Sequence, residues 1–250
     1  MEDKATGSSE FLTAIYDVDG PESRARATAE RICVDQTIEA EKDLLSPSLQ
    51  SSILGHLEAL WPSHDGRYQA AIRFRGDLLS GDCSDLLNLL FGTSSLRGDV
   101  TLLSFRMTQD LLSSWRGPRF GMDGVRDAVG VSDRPLLCAV LKPLGRTARE
   151  LAQLAQQFVE GGVDVIKDDQ GLVDQRWAPF EERVARCADV IKEAGSHRGR
   201  PCLYFPHVSG AWDVMQRRAT YAKTAGATGL LLAPGLIGFD ALRAISTDDA

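Results

Sequence analysis

A lysine and two aspartates follow a short apolar stretch, and their order suggests acid–base or metal chemistry. The residues are Lys167, Asp168 and Asp169, and the run before them begins at Gly161 and Gly162. Such a run, rich in β-branched residues, is typical of a buried parallel strand. Side chains alternate along a strand, so Lys167 and Asp169 should point one way and Asp168 the other. Ionisable groups at a buried strand tip need a partner, and a divalent metal ion is one such partner.

A second lysine ends an apolar run further upstream. Lys142 follows residues 135–141 and precedes Pro143. A Lys-Pro pair alone is most simply a solvated loop. In a parallel sheet, however, Lys142 would lie at the same edge as Lys167 and Asp169, where opposite charges shift each other's pKa. A lysine at that edge can move a proton at a carbon next to a carbonyl.

Other polar residues near the predicted strand ends have ordinary structural explanations as well. His207 follows the third predicted strand at the same edge, where it either binds substrate or has a structural role. Asp174, Glu181, Glu182 and Arg183 are typical of a loop and the solvated start of a helix.

The composition restricts the class of protein. With 43% hydrophobic and 25% charged residues, the chain is typical of a globular protein. A net charge of -7 argues against a nucleic-acid partner or an anionic membrane surface. The five cysteines form no Cys-x-x-Cys pair, which indicates free thiols in a reducing, cytoplasmic compartment. The four histidines lack the spacing of a zinc site.

The pattern of apolar residues divides the chain into two parts. Residues 10–120 mix strands and helices, which predicts a small α+β domain. The Gly- and Pro-containing segment 116–121 marks the predicted boundary. Residues 130–250 alternate strand and helix four times, which indicates parallel βαβ units.

Four such units can form either an open sheet or half of an eightfold barrel. The predicted strands are the runs at 135–141, 163–168, 202–205 and 229–233. Thr147 and Glu150 have capping-box spacing, which predicts a helix that runs to Glu160. No Gly-x-Gly-x-x-Gly follows any strand, so a nucleotide-binding sheet is not favoured.

Taken together, these motifs resemble a known family. Leu141-Lys142-Pro143, a helix, and then the stretch from Gly161 to Asp169 are similar to the large subunit of ribulose-bisphosphate carboxylase (RuBisCO) and its relatives. The details most resemble the RuBisCO-like proteins of form IV, and the likeness spans roughly residues 10–245. Further segments that fit are Leu90-Phe91-Gly92, residues 117–121, Phe180-Glu181-Glu182-Arg183 and Tyr204-Phe205.

The resemblance implies an N-terminal α+β domain followed by a (β/α)8 barrel, of which this chain holds the first half. It implies that CO2 carbamylates Lys167, and that the carbamate, Asp169 and the residue at Gln170 hold Mg²⁺. Lys142 would be the acid/base of the family. From its position at the same edge, we predict that His207 binds the phosphorylated substrate. It also implies a homodimer in which the N-terminal domain of one subunit lies over the site of the other.

Two departures from the family pattern argue against CO2 fixation. Gln170 stands where the family has a metal-binding glutamate, and Leu144 lies in the region of a second lysine. We therefore expect Mg²⁺-assisted enolisation, isomerisation or decarboxylation of a phosphorylated keto-sugar or sugar acid, as in a lyase or isomerase. The alternative is a catalytically inactive homologue that acts as a binding or assembly module.

The length of the chain is a further departure. An eightfold barrel needs about four more βα units after Ile245. We expect either a fragment of a longer protein or the product of a truncated gene, inactive in this 250-residue form.

Overall fold

In a computed structural model, the structure describes residues 10–113, 115, 117 and 119–247. The chain forms two compact units, residues 1–117 and 118–250. The predicted boundary segment 116–121 includes Arg116 and Pro118, which lie outside the described residues. The predicted domain limits therefore stay a prediction.

The first unit contains an antiparallel sheet with strand order β2-β3-β1-β4. Its helices and strands are β1 Phe11–Val18, α1 Glu22–Asp35, α2 Pro47–Ile53, β2 His56–Pro62, β3 Tyr68–Arg75, α3 Cys83–Phe91, β4 Val100–Met107 and α4 Gln109–Ser113. Along β1, every second residue from Leu12 to Val18 is buried, as expected for a strand with one face on a core. Strand β2 has no buried position and no regular alternation, since only Leu57 and Leu60 are half-buried and its other residues are exposed.

The second unit contains a parallel sheet with strand order β5-β6-β7. Its helices and strands are α5 Gly121–Val129, β5 Cys138–Leu141, α6 Ala148–Glu160, β6 Val165–Asp168, α7 Phe180–Arg198, β7 Leu203–Phe205, α8 Trp212–Thr224, α9 Pro234–Ile237 and α10 Phe239–Thr247. The prediction of a full strand at 229–233 is wrong. That segment contributes one isolated parallel bridge, between Leu231 and His207, and α9 begins directly after it at Pro234.

Helices α6 and α7 cover one face of the parallel sheet and form its main core. Leu151 of α6, Val184 of α7 and Ile166 of β6 are almost completely buried in this cluster. Burying each such side chain contributes roughly 1.5–3 kcal/mol before entropy is counted. This packing fixes β6 between its neighbours.

Local signals at both ends of α6 agree with the sequence. Thr147 accepts a hydrogen bond from the backbone N–H of Glu150 at 3.3 Å, and the Glu150 carboxylate accepts one from Thr147 N at 2.8 Å. The predicted capping box is therefore confirmed. In the turn before β6, Gly162 has a φ of 94°, a conformation that glycine adopts without steric cost. Among the described residues, none of the helices combines the length and the hydrophobicity that a membrane span requires.

Candidate functional site

The carboxyl ends of β5 and β6 bring Lys142 and Asp169 together. The two strands pair in parallel with Leu141 opposite Asp168, so the next residue of each strand lies at the same edge. Lys142 Nζ lies 3.0 Å from Asp169 Oδ2. The Lys142 side chain is 62% exposed, whereas that of Asp169 is 18% exposed. An ion pair at this edge leaves the amine accessible from solvent.

Lys167 lies at the same edge and is half-buried. Its Nζ lies 3.5 Å from Gln170 Oε1 and donates to the backbone oxygen of Asp168 at 3.3 Å. The Asp168 side chain is completely buried, which agrees with the alternation expected along β6. We call the group of Lys142, Lys167, Asp169 and Gln170 the rim cluster.

The Asp169 carboxylate is the anionic centre of the rim cluster. Its Oδ1 accepts a hydrogen bond from the backbone N–H of Gly171 at 2.9 Å. This bond, followed by the contact with Lys142 and the charge of Lys167, lowers the pKa of Asp169. Asp169 is therefore ionised at neutral pH and can bind either an ammonium group or a metal cation.

The rim cluster fits Mg²⁺ only when Lys167 carries a carbamate. Unmodified, the cluster has two ammonium groups and one carboxylate, which is unfavourable for a divalent cation. The described residues contain no group of three or more His, Cys, Asp or Glu side chains that could hold a metal ion. A carbamate on Lys167 would add oxygen donors next to Asp169 and the Gln170 amide oxygen, which suits a hard cation. The neutral Gln170 supplies less charge than a glutamate.

His207 follows β7, and its charged neighbours include Lys167 and Asp169 of the rim cluster. Its side chain is buried, with only 2% of the residue exposed. Burial lowers the pKa of His207, and the charges of Arg183, Lys167 and Arg218 lower it further. The ring is therefore neutral at pH 7. Its role in substrate binding stays a prediction.

The sequence prediction was wrong about Arg183. It is not part of a solvated helix start but fully buried, and its Nε donates to Asp168 Oδ2 at 3.2 Å. The hydroxyl of Tyr204 donates to Asp168 Oδ1 at 3.0 Å. Burial raises the pKa of Asp168, although Arg183, the His207 N–H and Tyr204 oppose this shift. The alternation along β6 predicted that Asp168 faces away from the rim, but no sequence signal identified Arg183 as its partner.

Comparisons with known proteins place these features in a family context. Residues 121–248 match the family model described as "Ribulose bisphosphate carboxylase large chain, catalytic domain". The chain is 34% identical to the 5-methylthioribulose-1-phosphate isomerase of Rhodospirillum rubrum, over 94% of this chain and 63% of the relative. It is 32% identical to the 2,3-diketo-5-methylthiopentyl-1-phosphate enolase of Bacillus pumilus, over 96% of this chain and 61% of that enzyme.

A solved structure shows the same fold. A Rubisco-like protein from Rhodopseudomonas palustris matches with a TM-score of 0.88 and 32% identity, over 95% of this chain and 67% of the other. The predicted fold class, an α+β unit followed by part of a (β/α)8 barrel, is confirmed. The chain spans less than two thirds of the length of the two curated relatives.

Proposed function

The chain belongs to the family of the ribulose bisphosphate carboxylase large chain, and from that premise we propose that it carries the proton-transfer and metal-holding part of an enzyme that enolises or isomerises a phosphorylated keto-sugar. The contact that supports this proposal most directly is the 3.0 Å ion pair between Lys142 and Asp169. The relatives named as an isomerase and an enolase also favour proton transfer over carboxylation.

Lys142 is the residue that moves the proton. Its amine is exposed and oriented by Asp169, so it can exchange a proton with a carbon or oxygen of a bound carbonyl compound. Carbamylated Lys167, Asp169 and Gln170 would hold Mg²⁺. When bound, the ion would polarise the carbonyl oxygen and stabilise the negative charge that develops there.

Hydrogen exchange at the substrate tests this proposal. The full chain is incubated in D2O with Mg²⁺, bicarbonate and 5-methylthioribulose 1-phosphate. Proton NMR follows the loss of the signal of the hydrogen on the carbon next to the carbonyl group. We expect Lys142→Gln to slow exchange by about 10²–10⁴-fold, the usual contribution of a positioned acid or base. Lys192→Gln, on the exposed surface of α7, is the matched control and should exchange at the unmodified rate. The proposal differs here from the expectation, drawn from chain length, that the 250-residue form is inactive. An unmodified chain no faster than buffer, or an unimpaired Lys142→Gln variant, would contradict the proposal.

Gln170 favours a second candidate, a catalytically inactive homologue that acts as a binding or assembly module. A neutral amide offers a single carbonyl oxygen and no charge to a cation, so it weakens the site. Calorimetry with Mg²⁺ in bicarbonate separates the two candidates. Binding that disappears in Lys167→Ala supports the enzyme, whereas no Lys167-dependent binding supports the inactive homologue.

A further inference from the structure

Beneath the rim cluster, two fully buried charged side chains form an ion pair that takes no part in the proposed proton transfer. We propose that Asp168 and Arg183 are positioning residues that hold Asp169 and Gln170 in place at the rim. The inference rests on the proposed function for what the rim does, and on the contacts alone for how the rim is held.

Asp168 fixes the end of β6 to α7, to β7 and to the loop that follows β7. Its Oδ2 accepts hydrogen bonds from Arg183 Nε at 3.2 Å and from the backbone N–H of His207 at 3.0 Å. Its Oδ1 accepts from the Tyr204 hydroxyl at 3.0 Å. Both carboxylate oxygens are therefore held, by α7, by β7 and by the loop that follows β7. Because Asp169 is the next residue along the chain, its backbone is held as well.

Arg183 fixes the loop that leads from the rim cluster to α7. Its Nη1 donates to the backbone oxygen of Ala178 at 2.9 Å, and its Nη2 donates to that of Val173 at 2.8 Å. The Gly171 N–H in turn donates to Asp169. The guanidinium thus joins the loop to Asp168, and the loop cannot shift without breaking charge-assisted hydrogen bonds.

A contribution to stability alone is a weak explanation for this pair. Replacing a buried ion pair by apolar residues of similar volume is often neutral or stabilising, because desolvation offsets the attraction between the charges. Directed hydrogen bonds to both partners instead specify geometry, which is the property that a catalytic edge requires.

The other end of β6 provides a matched control. Asp164 is also completely buried, and its carboxylate accepts hydrogen bonds from Arg134 Nη1 at 2.7 Å and Nη2 at 2.8 Å. It lies on the turn before the strand, whereas Asp168 is the last residue of the strand. Loss of this second pair should destabilise the unit without changing the rim.

Amine labelling of the full chain tests the inference independently of catalysis. The protein is treated with an N-hydroxysuccinimide acetate, and peptide mass spectrometry gives the labelling rate of Lys142 relative to exposed Lys42. We expect Asp168→Asn to raise the Lys142 rate about two- to fivefold, the change expected for loss of one partly exposed ion pair. Arg183→Lys keeps the charge but cannot reach Asp168 and both loop carbonyls together, so it should raise the rate as well. Asp164→Asn should leave it unchanged.

The outcomes separate positioning from stability. Unchanged Lys142 labelling in Asp168→Asn and Arg183→Lys would overturn the inference, and so would an equal rise in Asp164→Asn. If Asp168→Asn does not fold, Arg183→Lys decides in the same way. If the unmodified chain neither binds Mg²⁺ nor catalyses exchange while the labelling difference persists, the proposed function fails and the positioning inference stands.

Discussion

At the scale of single residues, the sequence predicted the lysines and the aspartate of the rim but not what holds them. Lys142 follows one apolar run and Lys167 lies at the end of another. Because the two runs form β5 and β6, which pair in parallel, strand pairing alone brings both lysines to one edge. Arg183 could not be predicted as buried, because it follows Glu181 and Glu182 at a helix start and its partner lies 15 positions away. Its burial depends on the path of the intervening loop, which no local pattern determines.

Gln170 is the residue for which a gain of function is expected. Gln170→Glu adds a carboxylate next to Asp169 and within reach of Lys167, so it should raise Mg²⁺ affinity in bicarbonate by about tenfold, since ligand charge sets the affinity of such sites. Titration calorimetry measures this change. The gain should vanish in a Lys167→Ala background, and a gain that survives there would show that Mg²⁺ binds elsewhere.

At the scale of elements, the sequence predicted helices with clear caps and strands with regular apolar patterns. Helix α6 begins after Thr147 and ends at Glu160, as its capping box and the following glycines indicate. The predicted strand at 229–233 formed only the bridge at Leu231. An apolar run indicates burial, but strand formation also needs a neighbour in register along its whole length.

The turn before β6 gives a prediction for the pH dependence of stability. Hydrogen bonds from Arg134 lower the pKa of Asp164 to about 2, below the value of about 3.9 for an unfolded aspartate. The pair therefore stabilises the fold above about pH 4, and this stabilisation is lost as the pH falls towards 2. We expect Asp164→Asn to lower the free energy of unfolding by about 2 kcal/mol at pH 7.

Chemical denaturation of the unmodified chain and of Asp164→Asn at several pH values measures the free energy of unfolding. Hydrogen exchange shows whether the transition belongs to the second unit. The difference between the unmodified chain and Asp164→Asn should shrink below about pH 4, because Asp164 then becomes protonated in the unfolded state. A difference that stays constant down to pH 2 would show that the charge of Asp164 is not the cause.

At the scale of the whole molecule, the two units have separate apolar clusters. Leu90 lies in the main cluster of the first unit and Val184 in that of the second, and both are almost completely buried. The change of pattern from mixed strands and helices to regular strand–helix alternation predicted two parts from sequence alone. The sequence defines the boundary between the two parts less well. Helix α5 already begins at Gly121, the last residue of the Gly- and Pro-containing segment 116–121.

Core substitutions should therefore act on one unit at a time. Leu90→Ala is expected to destabilise the first unit by about 2–5 kcal/mol, through lost burial and the cavity left behind. Val184→Ala should act in the same direction on the second unit. Hydrogen exchange with peptide resolution measures both, and equal losses of protection in both units of each variant would contradict separate cores.

The uneven charge of the rim cluster also affects how the protein should be handled. Two amines face one ionised carboxylate and a neutral amide. Without a carbamate on Lys167, this edge should attract inorganic anions. We therefore expect phosphate and sulfate buffers to compete with the proposed carbamylation, so that a chloride-poor organic buffer equilibrated with bicarbonate is the medium in which Mg²⁺ binding should be tested.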